Sequence, residues 1–212
     1  MENMKHQIAA QLLQINAIKF NPANPYQWTS GWQSPIYCDN RKTLSHPQVR
    51  NLIKKGFVEL IRRHYGQQAD IIAGVATGAI AIGALTAEAL DLPFVYVRSS
   101  QKKHGLENTI EGEIQKGQRA VVVEDLISTG KSSLQAVEAL RQSGVKVLGM
   151  AAIFTYGFDL AREKFEHHQC PVHTLTDYSS LMEVALDQGY LKEKNRQQLE
   201  QWRQDPANWK PA

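Results

Sequence analysis

Apolar residues at Ile8, Leu12, Ile15 and Ile18 recur at helical spacing and stop before Asn21-Pro22 and Asn24-Pro25, so the pattern predicts an opening helix over 5–18. Residues 26–43 mix Trp28, Trp32, Pro35, Ile36 and Tyr37 with polar positions and read as short strands or a hairpin. Ser45 followed by Gln48 predicts a capping box, after which Val49, Leu52, Ile53, Phe57, Leu60 and Ile61 mark one face of a second helix. From residue 70 the pattern alternates. It predicts strands over 70–75, 93–97, 120–123 and 145–154, with helices running to Leu90, over 132–142 and over 159–168. A strand at 172–175 and helices after Ser180 and over 191–204 complete the chain, with Ser180 and Glu183 as a second capping box. Runs such as Val121-Val122-Val123 suit strands covered on both faces, which makes the fold α/β with a central parallel sheet flanked by helices.

Composition narrows the class. Two hundred and twelve residues, 42% of them apolar, make one globular domain that builds its core without disulfides. Cys38 and Cys170 stand far apart with no metal-ligand spacing, the usage of reduced thiols in a cytoplasmic protein. No basic region followed by an apolar core opens the chain, so no export signal is expected. The net charge of +3 is too small and too evenly spread for a nucleic-acid footprint, though it suits an anionic small substrate. The uncharged stretch 71–87 holds Gly74, Gly78 and Gly83 and is alanine-rich, reading as strand, glycine turn and buried helix; no membrane span is expected.

Chemistry concentrates in residues 121–132. There an apolar strand delivers two adjacent acids, Glu124 and Asp125, followed by Leu126, Ile127, Ser128, Thr129, Gly130, Lys131 and Ser132 at the start of a helix. Ligands of open parallel sheets sit at the carboxyl ends of strands, and amides at a helix N-terminus attract phosphate. Acids that hold a diol beside amides that hold a phosphate describe a sugar-phosphate site. A nucleoside triphosphate loop is excluded, because the glycine it needs five residues before Gly130 is Asp125.

This strand, acid pair and small-residue loop resemble the type I phosphoribosyltransferase family. Within it, four further stretches are similar to the orotate-using members: Ser30-Gly31 with Ser34-Pro35-Ile36-Tyr37-Cys38-Asp39-Asn40-Arg41, the turn from Gly74 to Gly78, the run from Arg98 to Gly105, and Phe154-Thr155-Tyr156-Gly157. The resemblance implies a type I phosphoribosyltransferase fold with a small N-terminal hood (residues 1–45) and a helical C-terminal appendage (190–212). It implies Mg2+-dependent transfer of ribose 5-phosphate from 5-phosphoribosyl 1-diphosphate (PRPP) to orotate, the metal riding on PRPP without a direct protein site. Arg98, Lys102, His104 and residues 124–132 would bind PRPP; Lys102, His104 and Asp125 would be catalytic; Ser128, Tyr37 and Cys38 would meet orotate. Residues 99–119 form a connection of lid-like length. In the family the arm from Arg98 to Gly105 crosses a homodimer into the neighbouring site. Some relatives carry lysines where this chain has Ser99 and Gly78 or Ala79, and an arginine near Phe154-Thr155-Tyr156. A purine acceptor and a non-catalytic PRPP-sensing regulator are the alternatives. The terminal stretch 191–212, with Trp202 and Trp209, reads most simply as a solvated helix.

Overall fold

The computed structural model describes residues 2–28, 31–98 and 109–211. Its centre is a six-stranded sheet in the order β10-β9-β8-β5-β6-β7. The strands are β5 (Ile71–Val75), β6 (Phe94–Val97), β7 (Ile110–Glu111), β8 (Arg119–Ile127), β9 (Lys146–Thr155) and β10 (Val172–Asp177). All pairs are parallel except that between β6 and the edge strand β7. Successive side chains of a strand face opposite ways, and both faces are covered. Ile72, Val121, Val123, Ala151 and Ile153 join one core with helices α1 (Glu2–Gln14), α2 (Pro47–Tyr65), α3 (Ile80–Leu90) and α6 (Tyr178–Asp187). Ile71, Ala73, Val122, Met150 and Ala152 join the other with α4 (Lys131–Gln142) and α5 (Asp159–His167). This two-sided burial is why the strand runs lack polar alternation. No helix among the described residues is long and apolar enough to cross a membrane.

Above the strand ends, β1 (Ile18–Phe20) pairs antiparallel with β4 (Ile36–Cys38), and β2 (Tyr26–Gln27) with β3 (Gln33–Ser34); a 3-10 turn, Asn40–Ser45, leads into α2. The opening helix is shorter than its periodicity predicts. Asn16 takes a left-handed φ of 55° and ends it, leaving Ile18 to begin β1. Neither expected capping box forms. Ser45 lies inside the 3-10 turn and α2 starts on Pro47, whose fixed φ suits the first helical position. At α6 the cap is Asp177, whose Oδ1 accepts from both the backbone N–H and the hydroxyl of Ser180 at 3.0 Å.

The last helix, α7 (Glu193–Gln204), is not a solvated tail. Trp202 is fully buried beside Trp28, Tyr156, Phe158 and Tyr178, and its indole N–H donates to the Gln33 carbonyl at 3.1 Å. Arg203 donates to the Tyr156 carbonyl at 3.1 Å. The helix therefore fastens the hood strands to the end of the sheet, a role that its high charge concealed in the sequence.

Candidate active site

Strand β8 continues past the acid pair to Ile127, so Glu124 and Asp125 are held by ladder pairing rather than lying in a loose turn. Glu124 turns toward α4, where its Oε2 accepts from the Ser133 hydroxyl at 2.8 Å and its Oε1 from the Asp125 amide at 3.0 Å. It is 3% exposed. Burial, then the charge of Asp125, pushes its carboxyl well above the ordinary range. Burial also raises Asp125, opposed by the hydrogen bond with Glu124, by a backbone amide and by the Arg41 guanidinium. Two acids in so dry a place do not both ionise cheaply, and a proton on Glu124 leaves Asp125 as the anionic member.

Gly130 caps α4 with φ +74° and offers no side chain to the first-turn amides. A Cβ there would come within 2.8 Å of the Phe165 ring, so both conformation and space require glycine. Among the described residues, no backbone amide from Ser128 to Ser132 donates to another protein group. These donors sit at the positive end of α4, where an anion is favoured. Residues Val75, Ala76, Thr77 and Gly78 at the end of β5 face them, and the two segments line a cleft of about 420 Å³. The peptide between Ala76 and Thr77 is cis. A Cβ on Gly78 would fall closer than 3.0 Å to the Asp125 carboxyl group, so this glycine clears the space in which the acid sits.

The structure brings together Glu124, Asp125, Leu126, Ser128, Thr129, Gly130, Lys131 and Ser132 around this cleft. Ile127 is the exception: its side chain is 2% exposed and packs in the α4–α5 core, so it can serve a ligand only through its backbone. Arg98 does not line the cleft; it donates to Glu111 at 3.1 Å, bracing β6 against β7. Lys102 and His104 lie outside the described residues. Tyr37 is exposed on the hood with its ring 5.4 Å from that of Tyr26. Burial, reinforced by Asp125 and Asp39, pushes the Cys38 thiol well up, so it stays protonated and unreactive.

Two residues to which the sequence assigned no site role tie the site together. Ser133 anchors Glu124, and Asn40, 2% exposed, donates from Nδ2 to the Asp125 carbonyl at 2.6 Å across 85 positions of sequence. No local pattern signals either contact. A larger cavity of about 860 Å³ runs along α4 past Gln135, Glu138 and Gln142. It lacks the buried acids, and of residues 128–132 only Lys131 reaches it. Among the described residues no group of three His, Cys, Asp or Glu could hold a metal alone.

Residues 41–187 match the family described as phosphoribosyl transferase domain. The chain is 57% identical to an orotate phosphoribosyltransferase of Bacteroides thetaiotaomicron over 99% of its own length and 98% of the relative's. It is 53% identical to that of Porphyromonas gingivalis, covering 99% of each. Among solved structures, the orotate phosphoribosyltransferase of Aeropyrum pernix superposes with a TM-score of 0.72 at 26% identity, covering 87% of this chain and 99% of that one.

Proposed function

The chain belongs to the phosphoribosyl transferase family, and from that premise we propose how its residues divide the work of an orotate phosphoribosyltransferase. The enzyme moves ribose 5-phosphate from PRPP to orotate, giving orotidine 5′-phosphate and diphosphate in pyrimidine biosynthesis. The observation that carries our assignment is the meeting, in one cleft, of a buried acid pair with amides that have no protein partner. The amides of Ser128 to Ser132 take the 5-phosphate. Asp125 takes the ribose hydroxyls, and its charge favours positive charge growing on the ring carbon as the diphosphate leaves. Glu124, anchored by Ser133, holds the strand end in place. Chemistry of this kind rests on positioning and electrostatics and asks for no protein nucleophile.

Magnesium fits this donor set as an ion that brings its own oxygens, because the site offers Asp125 as a carboxylate facing the cleft and, among the described residues, no protein cage. It would ride on oxygens of PRPP beside Asp125, with no direct protein ligand, and it would neutralise charge on the diphosphate. Lys102 and His104 complete that neutralisation from an arm that, in our reading, comes from the second subunit of a homodimer. The Arg98–Glu111 bond then braces the base of the arm. On the orotate side we place Ser128, Tyr37 and Cys38. Two free thiols suit a cytoplasmic enzyme. The test is orotate consumption and diphosphate release with PRPP and magnesium. Preferential use of a purine would replace the acceptor, and PRPP binding without turnover of any base would make the protein a sensor.

A further inference from the structure

Orotate is an anion, and it must approach a face dominated by acids. Asp125 and Asp39 both lie close enough to Cys38 to raise its thiol. A carboxylated base entering here meets like charge unless a cation receives it. We propose that Arg41, on the hood, binds the carboxylate of orotate and so sets the enzyme's preference for a carboxylated pyrimidine over one without that group. This inference rests on the orotate reading above and adds a residue to it.

Three observations carry it. First, Arg41 is held beside the acid strand by its neighbour: Asn40 is pinned to the Asp125 carbonyl at 2.6 Å, so the 3-10 turn cannot drift from that strand. Second, its guanidinium is oriented in advance. Nε donates to Asp39 Oδ1 at 2.7 Å and Nη2 to Oδ2 at 3.1 Å, and Asp39 in turn accepts from the Arg41 amide at 3.3 Å. That fork uses one edge of the planar group. The other edge, Nη1 with the second hydrogen of Nη2, has no partner among the described residues and matches a carboxylate in a bidentate pair. Third, the side chain is 59% exposed, so its open edge is accessible to a ligand rather than spent on the core. Arg41 also lowers Asp125 and is itself raised by Asp39, Tyr37 and Asp125, which puts it electrostatically between the base-side strand β4 and the acid pair.

The experiment compares wild type, Arg41→Gln and Arg41→Lys with orotate and with uracil as acceptors, at saturating PRPP and then with PRPP varied. Arg41→Gln is expected to raise KM for orotate by about tenfold or more while KM for PRPP stays within about twofold. The ratio of kcat/KM for orotate to that for uracil falls in step, and Arg41→Lys recovers only part of it, since a lysine lacks the fork. An orotate KM unchanged within about twofold overturns the proposal. So does a PRPP KM that rises as much as that of orotate, because the cation would then serve the diphosphate. Because Arg41 is exposed, the variants are expected to keep the melting temperature of wild type, which confirms that they fold. If wild type itself consumed no orotate with PRPP and magnesium, the functional reading would fail instead, a result distinct from either outcome for the variants.

Discussion

Gly78→Ala tests the geometry of the acid seat with one methyl group. Gly78 lies in the turn after β5 and has an ordinary negative-side backbone, so alanine adds no conformational strain. What it adds is a collision: the new Cβ would lie inside 3.0 Å of Cγ and both oxygens of Asp125. Ordinary contact is restored only if the carboxylate or the turn moves by on the order of 1 Å. The acid is short and held by β8, whose backbone pairs with β9 and is gripped by Asn40, so the carboxyl group rotates away more readily than its strand retreats. Rotation of a partly exposed side chain costs little, and the loss of stability is expected to stay near 1–2 kcal/mol. Catalysis suffers more, because a displacement of about 1 Å at a group that holds the substrate can cost about a hundredfold. Steady-state orotate consumption read beside a thermal melt separates the two effects. A kcat within about threefold of wild type would refute the argument that Gly78 makes room for a working Asp125.

Other consequences are as direct. Ser133→Ala leaves Glu124 Oε2 buried without its donor, and the expected loss is about 1–3 kcal/mol in urea unfolding. Trp202→Ala opens a cavity between hood and sheet and is expected to cost about 3–5 kcal/mol, measured as a fall in melting temperature. His173 stacks on His64 with centroids 3.5 Å apart, and burial, then His64, lowers its pKa. The unfolded chain therefore takes up its proton first, so this contribution to stability is present above about pH 6.5 and lost as pH falls below it. His173→Gln flattens that part of the profile of melting temperature against pH. Lys102→Ala is expected to lower turnover more than PRPP affinity, since a charge on the leaving group acts mainly in the transition state. Mixing it with Asp125→Ala restores activity if the arm crosses a dimer, and no recovery on mixing would place the arm in its own subunit.

Much of this was legible in the chain because it is carried by local pattern. Two-sided β-branched runs announce a covered parallel sheet. The order of strand, two acids, Ser-Thr-Gly turn and helix places a carboxylate pair next to free amides whatever the rest of the protein does, because strand ends and helix N-termini impose it. Helix boundaries were less legible: the apolar period ran through Ile18, but Asn16 turned the backbone and gave Ile18 to a strand. The decisions that only the tertiary structure took are contacts between residues far apart in sequence. Asn40 reaches the Asp125 carbonyl, Gly78 clears space for its carboxylate, and the highly charged α7 buries Trp202 under the hood. Periodicity and motif spacing report which face of an element is apolar and which residues sit at its ends. They do not report which distant element arrives there, since that depends on how whole surfaces pack.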